Sequence, residues 1–201
     1  KVTNATHTGD VTGATALTIA VDAVDIAMLS ATGTASSSTF LRGDNTWTAI
    51  SAEDNTPSFQ ARLSVGQAIA NATWTKILCN TEVYDTDSAY DNTTNYRFTC
   101  PVGSAGCYVF WYCSQFNGLT AGEYSQVVLY VNGAFELRTR TSNNYQIRNT
   151  GAERQSLLSS CQMVLAEGDY VELFTSQTSG GTINAQYEET YFGGFKIAGT
   201  S

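Results

Sequence analysis

The segment from Cys107 to Phe116, CYVFWYCSQF, places large apolar or aromatic side chains at both odd and even positions. Because successive side chains of a β-strand point to opposite faces of its sheet, this strand is apolar on both faces. An antiparallel sheet buries one face in the core and usually exposes polar side chains on the other. The sequence therefore predicts a cover over the second face, since an uncovered aromatic stripe would be a large exposed patch. The two alternatives are a second copy of the chain, which we favour, and an overlying loop.

From residue 59 onward, short strand-like runs alternate with turn sequences. Asn132-Gly133 predicts a two-residue type I′ hairpin, because that turn needs positive φ at both central residues. Glu167–Asp169 predicts a second hairpin turn. No helix of normal length interrupts these runs, so the sequence predicts an all-β fold, an antiparallel jelly-roll sandwich. The predicted strands are Phe59–Val65, Trp74–Leu78, Tyr96–Thr99, Cys107–Phe116, Tyr124–Val131, Ala134–Arg140, Leu157–Leu165, Tyr170–Thr175 and Thr190–Ile197.

Composition limits the classes of partner. Of the 201 residues 14% are charged, and the formal net charge is −8, so the chain lacks the basic field that neutralising phosphates requires. The sequence contains no apolar run of about 18 residues, the length that a membrane-spanning helix needs. We therefore expect no nucleic-acid partner and no membrane insertion.

Residues 1–50 differ in composition from the rest of the chain. Their few apolar side chains are spread among Thr, Ala, Asp and Gly, so this stretch alone could not offset its ordering entropy as a monomer. Intertwined copies would bury these side chains along a shared axis. The sequence thus predicts an extended, threaded shaft or linker with little regular structure at 1–50, followed by a folded head at 51–201.

The shaft segment ends in the motif TFLRGDNTW, from Thr39 to Trp47. With the low-complexity sequence before it, this motif resembles segments of bacteriophage tail-fibre proteins, in which a TFLRGDGTW-like motif follows a Val-Asp-x-Ala-x-Leu stretch. Asn45 stands where that pattern has its second glycine. Arg42–Asp44 is also the integrin-binding tripeptide, but this context predicts a Gly-Asp-Asn turn. The resemblance implies a virion fibre, on tail or head, with upstream fibre or other virion proteins as partners.

Four blocks of the head resemble the globular head of the complement C1q family, which is related in shape to tumour necrosis factor. In chain order they are NYRFTCPVGSAGCYVF, VVLYVNG, SLLSSCQMVLAEGDYVEL and YFGGFKI, and FQARLS at 59–64 matches the family's first strand. The departures are a longer turn between Cys100 and Cys107 and the lack of a collagen-like Gly-X-Y stretch, which argues against a role in animal complement. The family pattern is matched at Phe98, Pro101, Gly106, Tyr108, Phe110, Gly168, Asp169, Val171, Phe192, Gly194 and Phe195.

The C1q resemblance implies a C1q/TNF-like jelly roll that associates as a homotrimer. This agrees with the second copy that the two-sided strand already favours. A homotrimer also places several large aromatic side chains at the contact between subunits. The candidates for this contact are Tyr108, Phe110, Trp111, Tyr112, Tyr130 and Phe195.

The five cysteines indicate a reduced protein. They lack CxxC spacing and the chain has one histidine, so a zinc cluster is not expected. Cys113 and Cys161 lie in apolar strand-like runs, where a thiol behaves as a small hydrophobic group. Cys100 and Cys107 flank a turn and could form a disulfide only if their Cα atoms lie within about 7 Å. We expect reduced thiols, with the state of this pair left open.

No motif for catalysis is present: the sequence has no Gly-x-Ser-x-Gly, no His-Glu-x-x-His and no phosphate-binding glycine loop. We therefore predict no enzyme, no catalytic residues and no cofactor. Calcium remains possible at the densest acidic cluster, YDTDSAYD, where Asp85, Asp87 and Asp91 are weak candidates. The alternative is a solvated loop whose aspartates cap turns.

The function that these features favour is binding by a trimeric fibre tip of a bacteriophage. The expected receptor is a host-surface glycan or outer-membrane protein, because aromatic rings stack on sugar faces and amides hydrogen-bond to hydroxyls. One alternative is a structural trimerisation cap that decorates the fibre and touches no receptor, and another is a polysaccharide-degrading tip. The candidate receptor contacts are Tyr84, Tyr90, Asn143, Asn144, Tyr145 and Tyr187.

Overall fold

The chain divides into two compact units, Lys1–Asp54 and Asn55–Ser201. Among the described residues no α-helix occurs, and no helix is long and apolar enough to cross a membrane. The computed structural model describes residues 11–12, 18–19, 21, 26–49, 55–119, 122–144, 153–187 and 189–199.

In the first unit, residues 11–12, 18–19, 21 and 26–49 form short strands and one helical turn. The TFLRGDNTW motif forms a hairpin in which the Arg42 N–H donates to the Thr46 carbonyl and the Asn45 N–H donates to the Arg42 carbonyl, both at 2.9 Å. Asn45 has φ 64°, a conformation that Asn tolerates better than most residues and that explains how it replaces a glycine. The predicted turn is confirmed. The elements are β1 (Val11–Thr12), β2 (Thr18–Ile19), the 3-10 helix η1 (Ile26–Leu29), β3 (Thr39–Leu41) and β4 (Trp47–Ala49).

The part of the second unit that the structure describes contains fourteen further strands and one 3-10 helix. Alternating apolar positions and frequent Gly and Asn turns produce this pattern. The elements are β5 (Ser58–Arg62), β6 (Gln67–Ile69), β7 (Thr75–Lys76), β8 (Thr81–Asp85), β9 (Tyr90–Asp91), β10 (Arg97–Thr99), β11 (Gly106–Leu119), β12 (Tyr124–Val131), β13 (Ala134–Phe135), η2 (Leu137–Thr139), β14 (Thr141–Asn144), β15 (Glu153–Leu165), β16 (Tyr170–Gln177), β17 (Ile183–Ala185) and β18 (Tyr191–Gly199).

These strands form two antiparallel sheets. The first sheet has the order β13-β12-β16-β10-β9, with β14 also paired to β12 and β7 to β16. The second sheet has the order β6-β17-β11-β18-β5-β8, with β15 also paired to β11. Sequence neighbours such as β10 and β11 lie in different sheets, as expected for a jelly roll.

The core between the sheets is dominated by aromatic rings. Phe59 stacks on Tyr90 and on Phe98, and meets the edge of Phe192, each with ring centroids 5.0 Å apart. Phe110 lies 5.8 Å from Phe192 and joins the same cluster. Offset and edge-on ring pairs add to the burial of apolar area, so aromatic residues of five strands hold the two layers together.

Both predicted hairpin turns are confirmed. Asn132 and Gly133 have φ 53° and 76° and join β12 to β13, and Gly168 has φ 82° in the turn before β16. All nine predicted strands overlap observed strands. The short strands β6, β8, β9, β14 and β17 were not predicted, because they lack a regular apolar alternation.

The predicted strand Ala134–Arg140 is wrong beyond Phe135. The chain turns into η2, where the Glu136 side chain accepts from the Arg138 N–H. The Thr139 hydroxyl accepts from the Leu129 N–H at 2.8 Å, which fixes η2 against β12. These side-chain hydrogen bonds compete successfully with strand pairing.

Candidate assembly and recognition surfaces

Strand β11 points its aromatic side chains in two directions, as its sequence predicts. Tyr108, Phe110 and Tyr112 are fully buried in the core. Val109 and Trp111 point the other way, to the outer face of the second sheet, and are half-buried. The face opposite the core is therefore apolar and partly exposed in a single copy of the chain.

Neighbouring strands extend this outer face. Phe195 of β18 pairs with Val109, and its ring lies 5.8 Å from the Trp111 ring. Leu158 and Val164 of β15 are 64% and 66% exposed on the same side. We call the surface formed by these five residues the Trp111 face.

The indole of Trp111, at the centre of this face, packs against a glycine. Gly193 pairs with Trp111, and a Cβ at Gly193 would lie 2.6 Å from two carbon atoms of the indole. The indole therefore lies flat against the backbone of β18. The next residue, Gly194, faces the core, where a Cβ would lie 2.5 Å from the Phe110 ring. The adjacent glycines thus serve opposite faces of one sheet.

A polar network borders the Trp111 face. The Gln115 amide donates to Glu189 at 2.7 Å and to the Ser156 hydroxyl at 3.1 Å, and that hydroxyl donates to Glu189 at 2.6 Å. Gln115 is 1% exposed, and its Oε1 atom has no hydrogen-bond partner. Asn117 Oδ1, two residues along the strand, is likewise buried without a partner. Buried polar atoms usually have partners, so this end of the face has unused acceptors.

The structure corrects the predicted contact residues. Tyr108, Phe110 and Tyr112 lie in the core of their own subunit and cannot contact a second copy. Trp111 and Phe195 do point outward. Tyr130 also points outward, but from the first sheet, and so lies on the opposite side of the sandwich.

A groove of about 620 Å³ runs along one side of the sandwich, beside the outer edge of β15. Strand β15 pairs with β11 alone among the described strands, so its other edge has no strand paired to it along thirteen residues. Such long edges attract pairing or packing partners. We call this groove the Met163 groove; it is lined by Val131, Glu136, Arg138, Thr139, Cys161, Met163 and Leu165, among others.

All five cysteines are free in the structure, and Cys100 and Cys107 form no disulfide. Cys100 is buried, and its sulfur lies 3.5 Å from the Tyr108 hydroxyl. Burial raises the pKa of Cys113 and of Cys161 to about 11. Because the thiolate is the reactive form, these two cysteines are poor nucleophiles.

The predicted receptor contacts have different environments. Tyr84 and Tyr187 are 40% and 42% exposed and remain available. Tyr90 is not available, because it is 4% exposed and its hydroxyl donates to the Cys79 carbonyl at 3.1 Å. Asn143 and Asn144 belong to β14 and pair with β12, while Tyr145 lies outside the described residues.

The acidic cluster caps turns. Asp85 accepts from the N–H groups of Asp87, Ala89 and Tyr90, at 2.8–3.3 Å. Backbone N–H groups that point at the Asp91 carboxylate, that of Thr94 first, hold the pKa of Asp91 well below its usual value. Within the described residues no three acidic, histidine or cysteine side chains gather as a metal site. Asp85 and Asp91 therefore cap turns, which is the alternative to a calcium site.

A second aromatic group, which sequence patterns did not identify, lies on the outer face of the first sheet. The rings of Tyr130 and Phe174 stack at 3.9 Å, and Phe135 meets Tyr130 at 5.6 Å and Trp74 at 5.3 Å, both edge-on. We call these four residues the Trp74 platform. Trp74 stands in a predicted strand and Phe135 follows the Asn-Gly turn, but their approach depends on the sheet order.

Comparisons with known proteins bear on the fold. No protein-family model matches the sequence, and no curated protein matches it either. Among solved structures, Eiger TNF from S. frugiperda is similar, with 13% identity and a TM-score of 0.50 over 72% of this chain and 92% of that one. Murine APRIL at pH 5.0 has 14% identity and a TM-score of 0.51 over 70% and 98% of the two chains.

The globular domain of zebrafish complement 1qA protein is also similar, with 17% identity and a TM-score of 0.47 over 72% of this chain and all of that one. At these identities the TNF and APRIL likenesses show the fold alone. They cover about the length of the second unit. The predicted all-β, C1q/TNF-like jelly roll is confirmed.

Proposed function

We propose that this chain forms the end of a bacteriophage fibre, in which three copies assemble through their heads and bind a receptor on the host surface. The observation that carries the proposal is the Trp111 face. A half-buried indole, a phenylalanine and two aliphatic side chains that are about two-thirds exposed lie on one side of a sheet whose other face already holds the core. Apolar side chains grouped on one outer face of a small protein favour an interface between subunits.

The Met163 groove favours a ring over a two-fold dimer. It adjoins the Trp111 face along β15 and shares Val164 with it, but Val131, Thr139 and Met163 lie on the other side of that strand. A contact between these three residues and the Trp111 face of another copy is therefore heterologous. Heterologous contacts generate closed rings when the rotation closes. Three copies, each placing its groove side over the Trp111 face of the next, would cover both surfaces and the free edge of β15. The homotrimer that the C1q resemblance implies has this symmetry.

The assignment to a phage fibre comes from the N-terminal segment. Its TFLRGDNTW motif resembles tail-fibre sequences, and its hairpin has the turn that the motif predicts. A shaft with few apolar side chains gains most from intertwining with other copies. The proposed location is therefore the virion, in a tail or head fibre, with upstream fibre proteins as partners.

Receptor binding follows from valency and from the exposed side chains. Three heads on one axis convert weak single contacts into useful avidity. Tyr84 and Tyr187 are exposed large side chains on the head, of a type that contacts sugars and proteins. The proposed receptor is a host-surface glycan or an outer-membrane protein.

The first experiment measures molar mass in solution, by light scattering, with and without residues 1–50. We expect a trimer in both cases, because the proposed contacts lie in the head. Trp111→Lys should yield monomers that remain folded, whereas Val102→Lys, at a turn position that is 89% exposed, should leave the trimer intact. A monomeric wild-type head would refute the assembly.

The second experiment measures adsorption of the purified trimer to bacteria. Adsorption that is lost on surface substitution while the molar mass is unchanged supports receptor binding. Adsorption that survives every such substitution favours the structural cap. Release of reducing sugar from host polysaccharide would instead identify a degrading tip.

A further inference from the structure

We propose that the Trp74 platform is a binding site for a neutral pyranose sugar of a host-surface glycan. The inference rests on the proposed receptor-binding function and gives that function a location and a ligand class. The four rings point away from the core: Tyr130 and Phe174 alternate along their strands with the core residues Leu129 and Leu173. The platform lies on the side of the sandwich opposite the Trp111 face, so contacts to the Trp111 face in the proposed assembly do not cover it.

The platform forms an apolar layer outside the sandwich. Trp74 precedes β7 and Phe135 belongs to β13, on opposite sides of the β12-β16 pair, and the two rings meet at 5.3 Å. Val128, which points outward between its core neighbours, is completely buried there. Phe135 remains 37% exposed, and the other three rings are half-buried. The inner side of the rings covers Val128. Covering Val128 does not explain why the outer side of the rings is exposed to solvent.

A polar pair is built into the same surface. Lys76 pairs with Phe174 across the strands and Glu172 pairs with Tyr130, and Lys76 Nζ donates to Glu172 Oε1 at 2.5 Å. Glu172 is only 6% exposed, although burying a carboxylate costs desolvation energy that apolar packing would not incur. Lys76 Nζ also donates to the Asn95 carbonyl at 3.1 Å, which holds the ammonium group in place. The side chain of Lys76 stays 30% exposed, so the rings have a charged donor fixed beside them.

This combination fits a sugar better than other ligands. A pyranose has C–H faces that stack on rings and hydroxyl groups that bond to charged donors and acceptors, and small-ligand sites typically combine apolar walls with a few fixed polar groups. The four side chains are too few for a stable protein interface, which needs about 800 Å² on each partner. Stacked nucleic-acid bases are disfavoured by the net charge of −8.

The test uses the wild-type trimer on an array of neutral hexose and N-acetylhexosamine oligosaccharides, followed by calorimetric titration with the strongest binder. Phe135→Leu keeps an apolar cover over Val128 but removes the exposed ring, and Trp74→Ala removes the second ring. We expect each to weaken binding by about tenfold or more, with an unchanged molar mass. Val102→Ala, at a turn residue that is 89% exposed and lies outside both the platform and the candidate receptor contacts, is the control and should bind as the wild type does.

Absence of binding to every neutral saccharide would overturn the inference, as would binding that Phe135→Leu and Trp74→Ala leave unchanged. Binding of acidic saccharides alone would overturn the neutral ligand class. Adsorption to bacteria, measured with the same variants, separates this inference from the proposed function. If adsorption persists in both variants, the platform is not the receptor site while the fibre-tip function stands. If neither variant nor wild type adsorbs, the receptor function fails as well.

Discussion

Substitution of Gly193 by alanine tests whether the Trp111 face is covered in the assembled protein. The new Cβ would lie 2.6 Å from two indole carbon atoms of Trp111, whereas carbon atoms in contact stay about 3.5–4.0 Å apart. The ring must therefore move away from the sheet by about 1 Å. On a free face the half-buried ring has room to do so, and the subunit should lose only about 1 kcal/mol, the low end for added volume.

Beneath a neighbouring subunit the ring has no such room. Added volume in a packed interface costs about 1–3 kcal/mol at each contact. A three-fold ring contains three identical contacts, so the trimer should lose about 3–9 kcal/mol. This corresponds to a rise of roughly 10² to 10⁶ in the overall dissociation constant.

Sedimentation equilibrium over a dilution series measures this constant, and urea unfolding measures the subunit. Gly193→Ala should dissociate at much higher concentration than wild type and unfold almost normally. Gly194→Ala is the matched comparison, because its Cβ would lie 2.5 Å from the core ring of Phe110 and 2.9 Å from the Val109 carbonyl oxygen. This substitution should lower the stability of the subunit by about 1–3 kcal/mol. A Gly193→Ala protein that stays trimeric at every dilution would refute the covered face.

Three further predictions concern the head alone. Tyr112→Phe removes the donor to the Thr139 carbonyl and should cost about 1–3 kcal/mol, seen as a lower urea midpoint with an unchanged slope. Backbone N–H donors lower the pKa of Asp91 from 3.8, so its ionised form stabilises the fold above that pH. The difference in unfolding free energy between wild type and Asp91→Asn should be constant near neutrality and become smaller as the pH falls below 3.8. A difference that stays constant down to pH 2–3 would contradict this. At pH 8, Cys113 should react with iodoacetamide roughly a hundredfold more slowly in the folded than in the urea-unfolded protein, because burial raises its pKa from 9.0 to about 11. Peptide mapping measures the rate of alkylation at Cys113, and equal rates in the two states would contradict this.

Much of the fold follows from local sequence rules. Alternation along β11 and β12 and the turns at Asn132-Gly133 and Gly168 depend on residues that are close in the chain, so they are predictable. The prediction that a strand continues past Phe135 was wrong, because the Thr139 hydroxyl accepts a hydrogen bond from the N–H of Leu129 in another strand. The short strands β6, β8 and β17 were not predicted because they lack a regular apolar alternation, and it is their pairing with strands elsewhere in the chain that forms them.

The candidate surfaces were predictable only in part. The two-sided pattern of β11 indicates that one face needs a cover, but it does not say which face is turned to the core. Tyr108 and Tyr112 were predicted to lie at subunit contacts because the sequence does not show which face of β11 is turned to the core. In the structure both are in the core, where Tyr108 packs against Phe98 and Tyr112 donates to the Thr139 carbonyl. Tyr90, expected on a loop, is held in the core by stacking on Phe59.

The sequence by itself determined that this chain is a β protein with more apolar strand surface than one sandwich core can hold, because side-chain alternation and turn chemistry are local properties. Only the tertiary structure decided where the surplus lies. It seats Trp111 on Gly193 at one outer face and gathers Trp74, Tyr130, Phe135 and Phe174 on the other. The physical reason is that these contacts join strands far apart in the chain, and their distances depend on sheet order and register.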